Sequence, residues 1–251
     1  MNYNLNNPIA QRKYKTVYRD NDKTIKLFVE DYSKADILNE ALNNARVEET
    51  GLNIPKLLEV TKIENRWALV FEHIEGETLE ELMQKNPDKK DEYMKLFVDT
   101  QMNILSKEGY LVNRLKDKTK RKIEEANIDT NTKYELNTRL EGMRNHKKLC
   151  HGDFNPSNVV IKPNGEVYVI DWAHVTAGNA SADAAMTYLL FYMNGKKEDG
   201  EQYLNLFVKT SGIDKQNVLR WIPIVAASKL PKSPEEEKAF LMTWIDVIDY
   251  Q

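Results

Sequence analysis

Three oxygen-bearing side chains in the middle of the chain stand at spacings that suit a metal ion and a phosphate. Asp153 lies in a polar segment between apolar ones, Asn158 follows five residues later, and Asp171 follows Asn158 by thirteen residues. Amide and carboxylate oxygens are hard ligands of the kind that Mg²⁺ prefers. A free carboxylate beside such a metal can orient a hydroxyl group and accept its proton during phosphoryl transfer. These residues therefore suggest transfer of a phosphoryl group to an alcohol.

A β-hairpin is the element that must bring Asn158 and Asp171 together. Residues 159–161 and 167–170 are apolar runs, and Lys-Pro-Asn-Gly-Glu joins them at 162–166. A short run containing Asn-Gly between two such segments is a strong hairpin signal. Because the two ends of a hairpin meet, we expect Asn158 and Asp171 to be close in space.

The first seventy-odd residues predict a small antiparallel sheet. Residues 16–19 and 24–29 have strand character and flank the polar turn 20–23. Two more strands are expected near 57–63 and 67–74.

One helix is expected to lie on this sheet. Ser33 followed by Asp36 matches the signature of a helix N-terminus. Apolar residues at 37, 38, 41, 42 and 45 recur at helical spacing, and Gly51 is a typical stop signal.

Beyond the fourth strand the pattern becomes mostly helical. Thr78 with Glu81 predicts a capping box, and long helical patterns follow at 93–107 and 133–144. From residue 180 to the end, the pattern is helical again.

The motif residues resemble those of the aminoglycoside phosphotransferase and choline kinase group, which are small-molecule kinases with a protein-kinase-like fold. The catalytic loop of that group reads His-Gly-Asp-x-x-x-x-Asn, which stands here at 151–158, and its metal-binding motif Ile-Asp-Trp stands at 170–172. The resemblance implies an α+β, bilobal fold with a nucleotide-binding lobe at 1–74, made of a small antiparallel sheet and one helix. It implies a larger, mostly helical lobe at 75–251 that contains the catalytic loop hairpin and binds the acceptor.

The resemblance also implies a role for each matching residue at the reaction centre. Asp153 would be the catalytic residue that deprotonates the acceptor hydroxyl, and Asn158 and Asp171 would hold Mg²⁺. His151 would support the site by orientation or packing, and Asp183 would brace the catalytic loop. The implied cofactors are Mg²⁺ and ATP or GTP, and the implied partners are the nucleotide and a small-molecule hydroxyl acceptor.

A second set of residues matches the nucleotide-binding part of the family. Lys26 matches the strand lysine that pairs with nucleotide phosphates, and Glu40 matches the glutamate that holds this lysine in an ion pair. The next match is the hinge between the lobes, where the Glu72 carbonyl and the Ile74 N–H would meet the base. Phe71 would line the back of that pocket.

The sequence departs from protein kinases in its first hairpin. Residues 8–23 contain no glycine, so the glycine-rich phosphate loop of protein kinases is missing. The aminoglycoside-type group often lacks this loop too, and the contacts of this hairpin with the phosphates stay unassigned.

Composition argues against several other classes of protein. The chain has 251 residues, with 36 Lys and Arg against 39 Asp and Glu and a net charge of −3, which argues against a nucleic-acid binder. No apolar run approaches the roughly 20 residues that cross a membrane. Cys150 is the single cysteine and lies in an expected short buried strand at 148–150. With no signal peptide pattern, it indicates a reducing, cytoplasmic location.

The C-terminal segment leaves two interpretations of the acceptor site. It carries acidic and aromatic side chains at Glu235, Glu236, Glu237, Trp244, Asp246 and Asp249. Acidic groups beside aromatic ones suit a cationic acceptor such as an aminoglycoside or a choline-like amine. The alternative is an ordinary solvated helix. The basic stretch 114–122 is interpreted as a solvated helix face rather than a phosphate site.

Other functions stay open as alternatives. A choline, amino-alcohol or sugar kinase would have the same fold and site. A nucleotide-binding regulator without catalysis is suggested only by the glycine-free hairpin, and the complete set of Asp153, Asn158 and Asp171 argues against it. A protein kinase is disfavoured by Gly152, where protein kinases usually carry arginine, and by the lack of a recognisable activation segment. The sequence leaves the oligomeric state open.

Overall fold

The computed structural model describes residues 3–110 and 112–245, which form two compact units. The first unit contains the residues up to Lys85 together with Pro156–His174. The second contains Asn86–Asn155 and the described residues from Val175 onward. Contacts thus group the hairpin after the catalytic loop with the first unit, and the expected lobe boundary after residue 74 stays a prediction.

A five-stranded antiparallel sheet forms most of the first unit, in the order β1-β2-β3-β5-β4. Its strands are β1 (Pro8–Gln11), β2 (Lys15–Asp20), β3 (Lys23–Phe28), β4 (Leu57–Ile63) and β5 (Arg66–Glu72). The four predicted strands are confirmed. The sequence analysis missed β1, which is four residues long and largely exposed, so it lacks the apolar alternation that marks a strand.

Alternation along β3 divides its side chains between two cores. Ile25 and Leu27 pack on one face of the sheet with Ala68 and Val70. Phe28 packs on the other face, in a cluster that includes helical residues such as Ile37. Because side chains alternate along a strand, Lys26 shares the face of Phe28.

The predicted helix α1 spans Lys34–Glu48. The Ser33 hydroxyl accepts a hydrogen bond of 3.3 Å from the Asp36 N–H, which confirms the predicted N-cap. The helix ends at Glu48, shortly before Gly51. It buries Ile37 and Ala41 against the sheet and carries Glu40 on the same buried side.

The predicted hairpin consists of β8 (Val159–Ile161) and β9 (Val167–Val169), and β6 (Glu77–Thr78) pairs with β8 to make a three-stranded sheet. A Cβ atom at Gly76 would lie 2.4 Å from the Ile161 carbonyl oxygen, so only glycine fits this close approach. Helix α2 (Leu79–Lys85) follows, and Thr78 and Glu81 form the predicted capping box.

The second unit is mostly helical. Its helices are α3 (Lys90–Ser106), α4 (Leu115–Glu125), α5 (Thr130–Gly142), α6 (Ala180–Met193), α7 (Lys197–Ser211), α8 (Lys215–Leu219), α9 (Ile222–Lys229) and α10 (Glu235–Ile245). Phe97, Phe154 and Phe191 pack together in its core. Over residues 3–110 and 112–245, no helix is both long enough and apolar enough to cross a bilayer.

A short two-stranded sheet has one strand before the catalytic loop and one strand after it. It pairs β7 (Lys148–Cys150), which the sequence predicted, with β10 (Thr176–Gly178), which it did not. Three residues ending in glycine give β10 no recognisable pattern of its own, and only the partner strand makes it a strand.

Candidate active site

Lys26 joins two carboxylates of the first unit. Its Nζ atom lies 2.7 Å from Glu40 Oε1 and 2.9 Å from Asp171 Oδ1. The Lys26 and Glu40 side chains are 11% and 9% exposed, so this is a nearly buried ion pair. Burial by itself would lower the pKa of Lys26, but Asp171 and Glu40 outweigh it and raise this pKa above its usual value. The lysine therefore stays charged among its partners.

Lys15 is a second cation at Asp171, and sequence reasoning missed it. Its Nζ atom lies 3.2 Å from Asp171 Oδ2 and 3.4 Å from Oδ1. Val17 pairs with Lys26 across β2 and β3, so Lys15, two residues before Val17, lies on the same face as Lys26. The residue pairing in the predicted hairpin was the sequence signal that could have placed Lys15 on the face of Lys26.

Asp171 carries its carboxylate on an unusual backbone conformation. Its φ angle is +63°, in the left-handed region that few residues other than glycine adopt. Burial would raise the pKa of its carboxyl, whereas Lys26 and Lys15 lower it well below the usual range. Such a conformation persists only where the surrounding structure holds it, and it is typical of functional sites.

The ends of the hairpin meet as predicted. The Ile170 N–H donates a hydrogen bond of 2.9 Å to the Asn158 carbonyl, which places the backbones before Asp171 and at Asn158 side by side. Asn158 is buried, and Trp172 is anchored by a 2.9 Å hydrogen bond from its indole N–H to the Val169 carbonyl. The hairpin therefore presents both candidate metal ligands from neighbouring backbone positions.

The two oxygen donors fit a Mg²⁺–nucleotide site. Among residues 3–110 and 112–245 there is no group of three His, Cys, Asp or Glu side chains that could hold a metal. Mg²⁺ bound with a nucleotide needs only one or two protein ligands, because phosphate oxygens and water complete its coordination. Asp171 and Asn158 supply hard donors of the required kind.

The candidate hinge residues follow β5. Phe71 is buried in the core on the Lys26 face, and Lys26 Nζ lies 5.2 Å from the centre of its ring. Glu72 ends the strand, and its N–H donates to the Lys56 carbonyl at 2.9 Å. Ile74 lies half-buried in the segment beyond the strand. The expected roles of the Glu72 carbonyl and the Ile74 N–H stay predictions.

The catalytic loop of the second unit is braced by Asp183 on α6. The Gly152 N–H donates to Asp183 Oδ1 at 2.8 Å, and the Gln101 amide donates to Oδ2 at 3.0 Å. Burial raises the pKa of Asp183, and the hydrogen bonds to it act in the opposite direction. Gly152 has a φ of +79°, so the glycine of the motif is required by its backbone conformation.

Gln101 is a second residue that sequence reasoning missed. It is fully buried on α3, donates to Asp183 and accepts a 2.6 Å hydrogen bond from the Tyr203 hydroxyl. The available signal was its spacing, because Gln101 stands four residues after the buried Phe97 on the apolar side of a predicted helix. A glutamine in that position needs buried polar partners.

Asp153 and His151 are held by the same loop. The Asp153 N–H donates to His151 Nδ1 at 3.2 Å, and the His151 ring is buried against the edge of Phe154. The Asn155 side chain donates to the Asp153 carbonyl at 2.9 Å. These contacts fix the backbone of Asp153, as expected if His151 orients the loop.

Trp244, the aromatic residue of the C-terminal segment with two open interpretations, packs on other aromatic side chains. Trp244 lies edge-on to Tyr188 and Tyr192, whose hydroxyls both donate to Glu201. Glu235 pairs with Lys238 at 2.7 Å. Asp246 and Asp249 lie outside the described residues.

The sequence matches the phosphotransferase enzyme family (APH) over residues 7–220, so the chain belongs to this family. This membership and the fold identify a small-molecule kinase, as the motif residues had indicated. No curated protein gave a significant match.

Solved structures share the fold at low sequence identity. One is a thermostable mutant of aminoglycoside phosphotransferase APH(4)-Ia in a ternary complex with AMP-PNP and hygromycin B (TM-score 0.69, 15% identity, covering 95% of this chain and 91% of that one). Another is aminoglycoside phosphotransferase APH(3'')-Id from Streptomyces rimosus with ADP and streptomycin (TM-score 0.61, 14% identity, covering 87% of this chain and 91% of that one). A third is choline kinase LicA from Streptococcus pneumoniae (TM-score 0.61, 14% identity, covering 93% of this chain and 89% of that one). They confirm the predicted protein-kinase-like fold.

Proposed function

We propose that this protein is a Mg²⁺-dependent kinase that transfers the γ-phosphoryl group of ATP or GTP to a hydroxyl group of a small molecule. The observation that carries the proposal is the cluster of Lys26, Glu40 and Asp171, in which a buried lysine is held between two carboxylates. The similar structures that contain ADP or AMP-PNP support the use of a nucleotide.

Asp153 is the proposed catalytic base. It orients the acceptor hydroxyl and takes its proton while the hydroxyl oxygen bonds to the γ-phosphorus. The bond from the γ-phosphorus to the bridging oxygen breaks, and the nucleoside diphosphate leaves. The Asp153 N–H donates to His151 and the Asp153 carbonyl accepts from Asn155, and these hydrogen bonds hold the backbone that carries the carboxylate.

Lys26 and Lys15 are the proposed phosphate ligands. Glu40 keeps Lys26 in place. Both lysines pair with Asp171, and the phosphates of an incoming nucleotide can take over part of this pairing. Lys15 is the first residue of β2, in the hairpin that lacks a glycine-rich loop. In this proposal its side chain contacts the phosphates, whereas protein kinases use backbone N–H groups of the glycine-rich loop for this purpose. Asn158 and Asp171 would hold Mg²⁺, which when bound would neutralise charge on the phosphates.

Thermal unfolding with Mg-ATP and with Mg-GTP tests the nucleotide site. A ligand at roughly 100 times its dissociation constant stabilises the folded protein by about 2.7 kcal/mol. For a chain of this size that shift in Tm is several degrees, and we expect it to require Mg²⁺ and to disappear in Asp171→Ala.

Asp88→Ala is the matched control, because this exposed carboxylate lies in a short turn before α3 and should leave the shift unchanged. The Tm of each variant without ligand separates loss of binding from loss of stability. A folded wild-type protein that shows no shift with either nucleotide would overturn the proposal.

The proposal specifies the acceptor only as a small molecule that carries a hydroxyl group. Aminoglycosides and choline-like amines are candidates because the similar structures include enzymes named for these substrates. Measuring ADP release with aminoglycosides, amino alcohols and sugars would distinguish these acceptor classes.

A further inference from the structure

The sheet of the first unit carries a second set of polar side chains on the face that holds Lys15 and Lys26. Thr24 stands two residues before Lys26 on β3, so the two side chains share a face. Phe71 pairs with Thr24 across β3 and β5 and packs on this same face. His73 follows two residues after Phe71, just beyond the end of β5. Thr24 and His73 therefore both lie on the Lys26 face.

The Thr24 and His73 side chains contact each other directly. The Thr24 hydroxyl and His73 Nδ1 share a hydrogen bond of 2.8 Å, and the His73 side chain is 14% exposed. Burial and the nearby charge of Arg19 lower the pKa of His73, whereas Glu75 acts in the opposite direction, so the ring is neutral at neutral pH. A hydrogen bond in such a sheltered place is stronger than one in open water.

Two backbone hydrogen bonds hold the segment that contains His73. The His73 N–H donates to the Asp22 carbonyl at 2.8 Å. On the other side, the Glu72 N–H donates to the Lys56 carbonyl at 2.9 Å. Because Asp22 lies in the turn between β2 and β3, both the backbone and the ring of His73 are joined to the hairpin that carries Lys26.

An ion pair between Arg19 and Glu75 is a further link between this segment and the hairpin. Arg19 pairs with Thr24 across β2 and β3, and its guanidinium group donates to both carboxylate oxygens of Glu75. These side chains are 38% and 64% exposed, and exposed ion pairs contribute little. The His73 ring is therefore the main side-chain anchor of the segment.

The packing around Lys26 differs in the two directions along β3. In one direction the face is filled, because Phe28 is buried and packs with Ile37 of α1. In the other direction Thr24 lies about 7 Å along the strand from Lys26, and both Thr24 and His73 are only half-buried. Of these two directions, the one toward Thr24 and His73 has room for the base of a nucleotide whose phosphates contact Lys26.

We propose that His73 is a positioning residue for the nucleotide base. Its hydrogen bond with Thr24 fixes the segment 72–75 on the β2–β3 hairpin, so the backbone expected to meet the base stays at a fixed distance from the phosphate-binding lysines. This inference rests on the proposed kinase function. When the bond is lost, the segment samples other positions, and the apparent affinity for the base falls with the fraction of molecules in the binding arrangement.

The test compares a complete nucleotide with its phosphate part alone. Titration calorimetry measures the Kd of Mg-AMP-PNP or Mg-GMP-PNP, whichever wild-type protein binds more tightly. Competition with that nucleotide gives the Kd of Mg-tripolyphosphate, which has no base. His73→Leu should raise the Kd of the nucleotide by about three- to tenfold, the effect of losing one hydrogen bond between neutral groups, and should leave the Kd of tripolyphosphate unchanged. His73→Asn keeps a hydrogen-bonding group near the position of Nδ1 and should restore most of the affinity.

Thr24→Val removes the same hydrogen bond from the other side and nearly keeps the shape of the side chain. It should therefore give the same pattern, even if His73→Leu fails to fold. The double variant should bind the nucleotide no worse than either single variant, because both changes remove one interaction. Thr16→Val is the matched control, since Thr16 pairs with Leu27 and lies on the opposite face of the sheet, and it should bind both probes like wild type.

The outcomes separate this proposal from the kinase function on which it rests. An unchanged Kd for the nucleotide in both His73→Leu and Thr24→Val would overturn the positioning role. An equal loss of affinity for nucleotide and tripolyphosphate, or independent effects that add in the double variant, would overturn it too. A folded wild-type protein that binds neither nucleotide would instead show that the proposed kinase function has failed.

Discussion

Two aspartates of this protein lie in opposite chemical environments. Asp171 in the first unit contacts two lysine ammonium groups, and they lower the pKa of its carboxyl well below the usual range. Asp183 in the second unit is held by an amide and by backbone N–H groups, and burial raises the pKa of its carboxyl.

The difference fits the proposed roles, which are nucleotide binding at Asp171 and bracing of the loop at Asp183. A lysine that pairs with one anion can also pair with another, so Lys15 and Lys26 can bind the phosphates of the proposed nucleotide while they remain near Asp171. Neutral donors in a buried network have no such alternative, so Asp183 fixes the shape of the loop that carries Asp153. A site for phosphoryl transfer needs both, because catalysis depends on positioning as well as on charge.

The largest expected effect is on the residue that the brace positions. Asp153→Asn should lower kcat by about 10²–10⁴, the usual contribution of a general base. The Tm shift with Mg-nucleotide should persist, because Asp153 is not a proposed nucleotide ligand. Steady-state kinetics on the first acceptor found, with Asp88→Asn as the control, would measure this, and near wild-type turnover would exclude the role.

Breaking the charged cluster should affect stability and binding together. Lys26→Met leaves the nearly buried Glu40 without its cation, and removal of one partner of a buried pair costs about 3–5 kcal/mol. Denaturant unfolding measures the loss of stability, and the Mg-nucleotide shift should vanish. Lys62→Met, on β4, is the control for a lysine of the same sheet. A stable variant that still binds nucleotide would contradict the assigned cluster.

Breaking the brace should cost a similar amount of stability, and the loss should depend on whether the replacement for Asp183 can still accept a hydrogen bond. Asp183→Ala leaves the Gly152 N–H and the Gln101 amide without their acceptor, at about 1–3 kcal/mol for each buried group. Asp183→Asn keeps one oxygen acceptor and should lose less. Unfolding measurements on both variants test this, and equal losses would show that the hydrogen bonds are not the source.

Lys15 should separate stability from binding. The Lys15 side chain is 20% exposed, and Asp171 still pairs with Lys26 when Lys15 is replaced. Lys15→Met should therefore change the free energy of unfolding by less than about 1 kcal/mol. Nucleotide affinity should fall several-fold, which titration calorimetry with Mg-AMP-PNP would measure. Lys13→Met is the control on the preceding turn. Unchanged affinity would limit Lys15 to a structural role.

The smallest effect is expected at Cys150, next to the braced loop. Its thiol is buried, and burial raises its pKa well above the usual value. A higher pKa leaves less thiolate, so raising the pH from about 7 to about 8 should not permit labelling of the folded protein. Mass spectrometry after treatment with a thiol reagent would test this, and rapid labelling under native conditions would show that the strand opens.

The sequence by itself determined the elements that depend on local spacing. The Asn-Gly turn specified the hairpin that brings Asn158 beside Ile170, and Ser33 with Asp36 specified the start of α1. The glycine of the catalytic loop is also a local requirement, since Gly152 adopts a left-handed backbone. Each of these features involves groups close in the chain or joined by one short turn.

Only the tertiary structure decided which distant groups meet. Lys15 reaches Asp171 across 156 residues of chain, Gln101 reaches Asp183 across 82, and β10 exists only because β7 pairs with it. The physical reason is that local patterns set the direction of each side chain, whereas burial and long-range packing set its partners and thereby its charge.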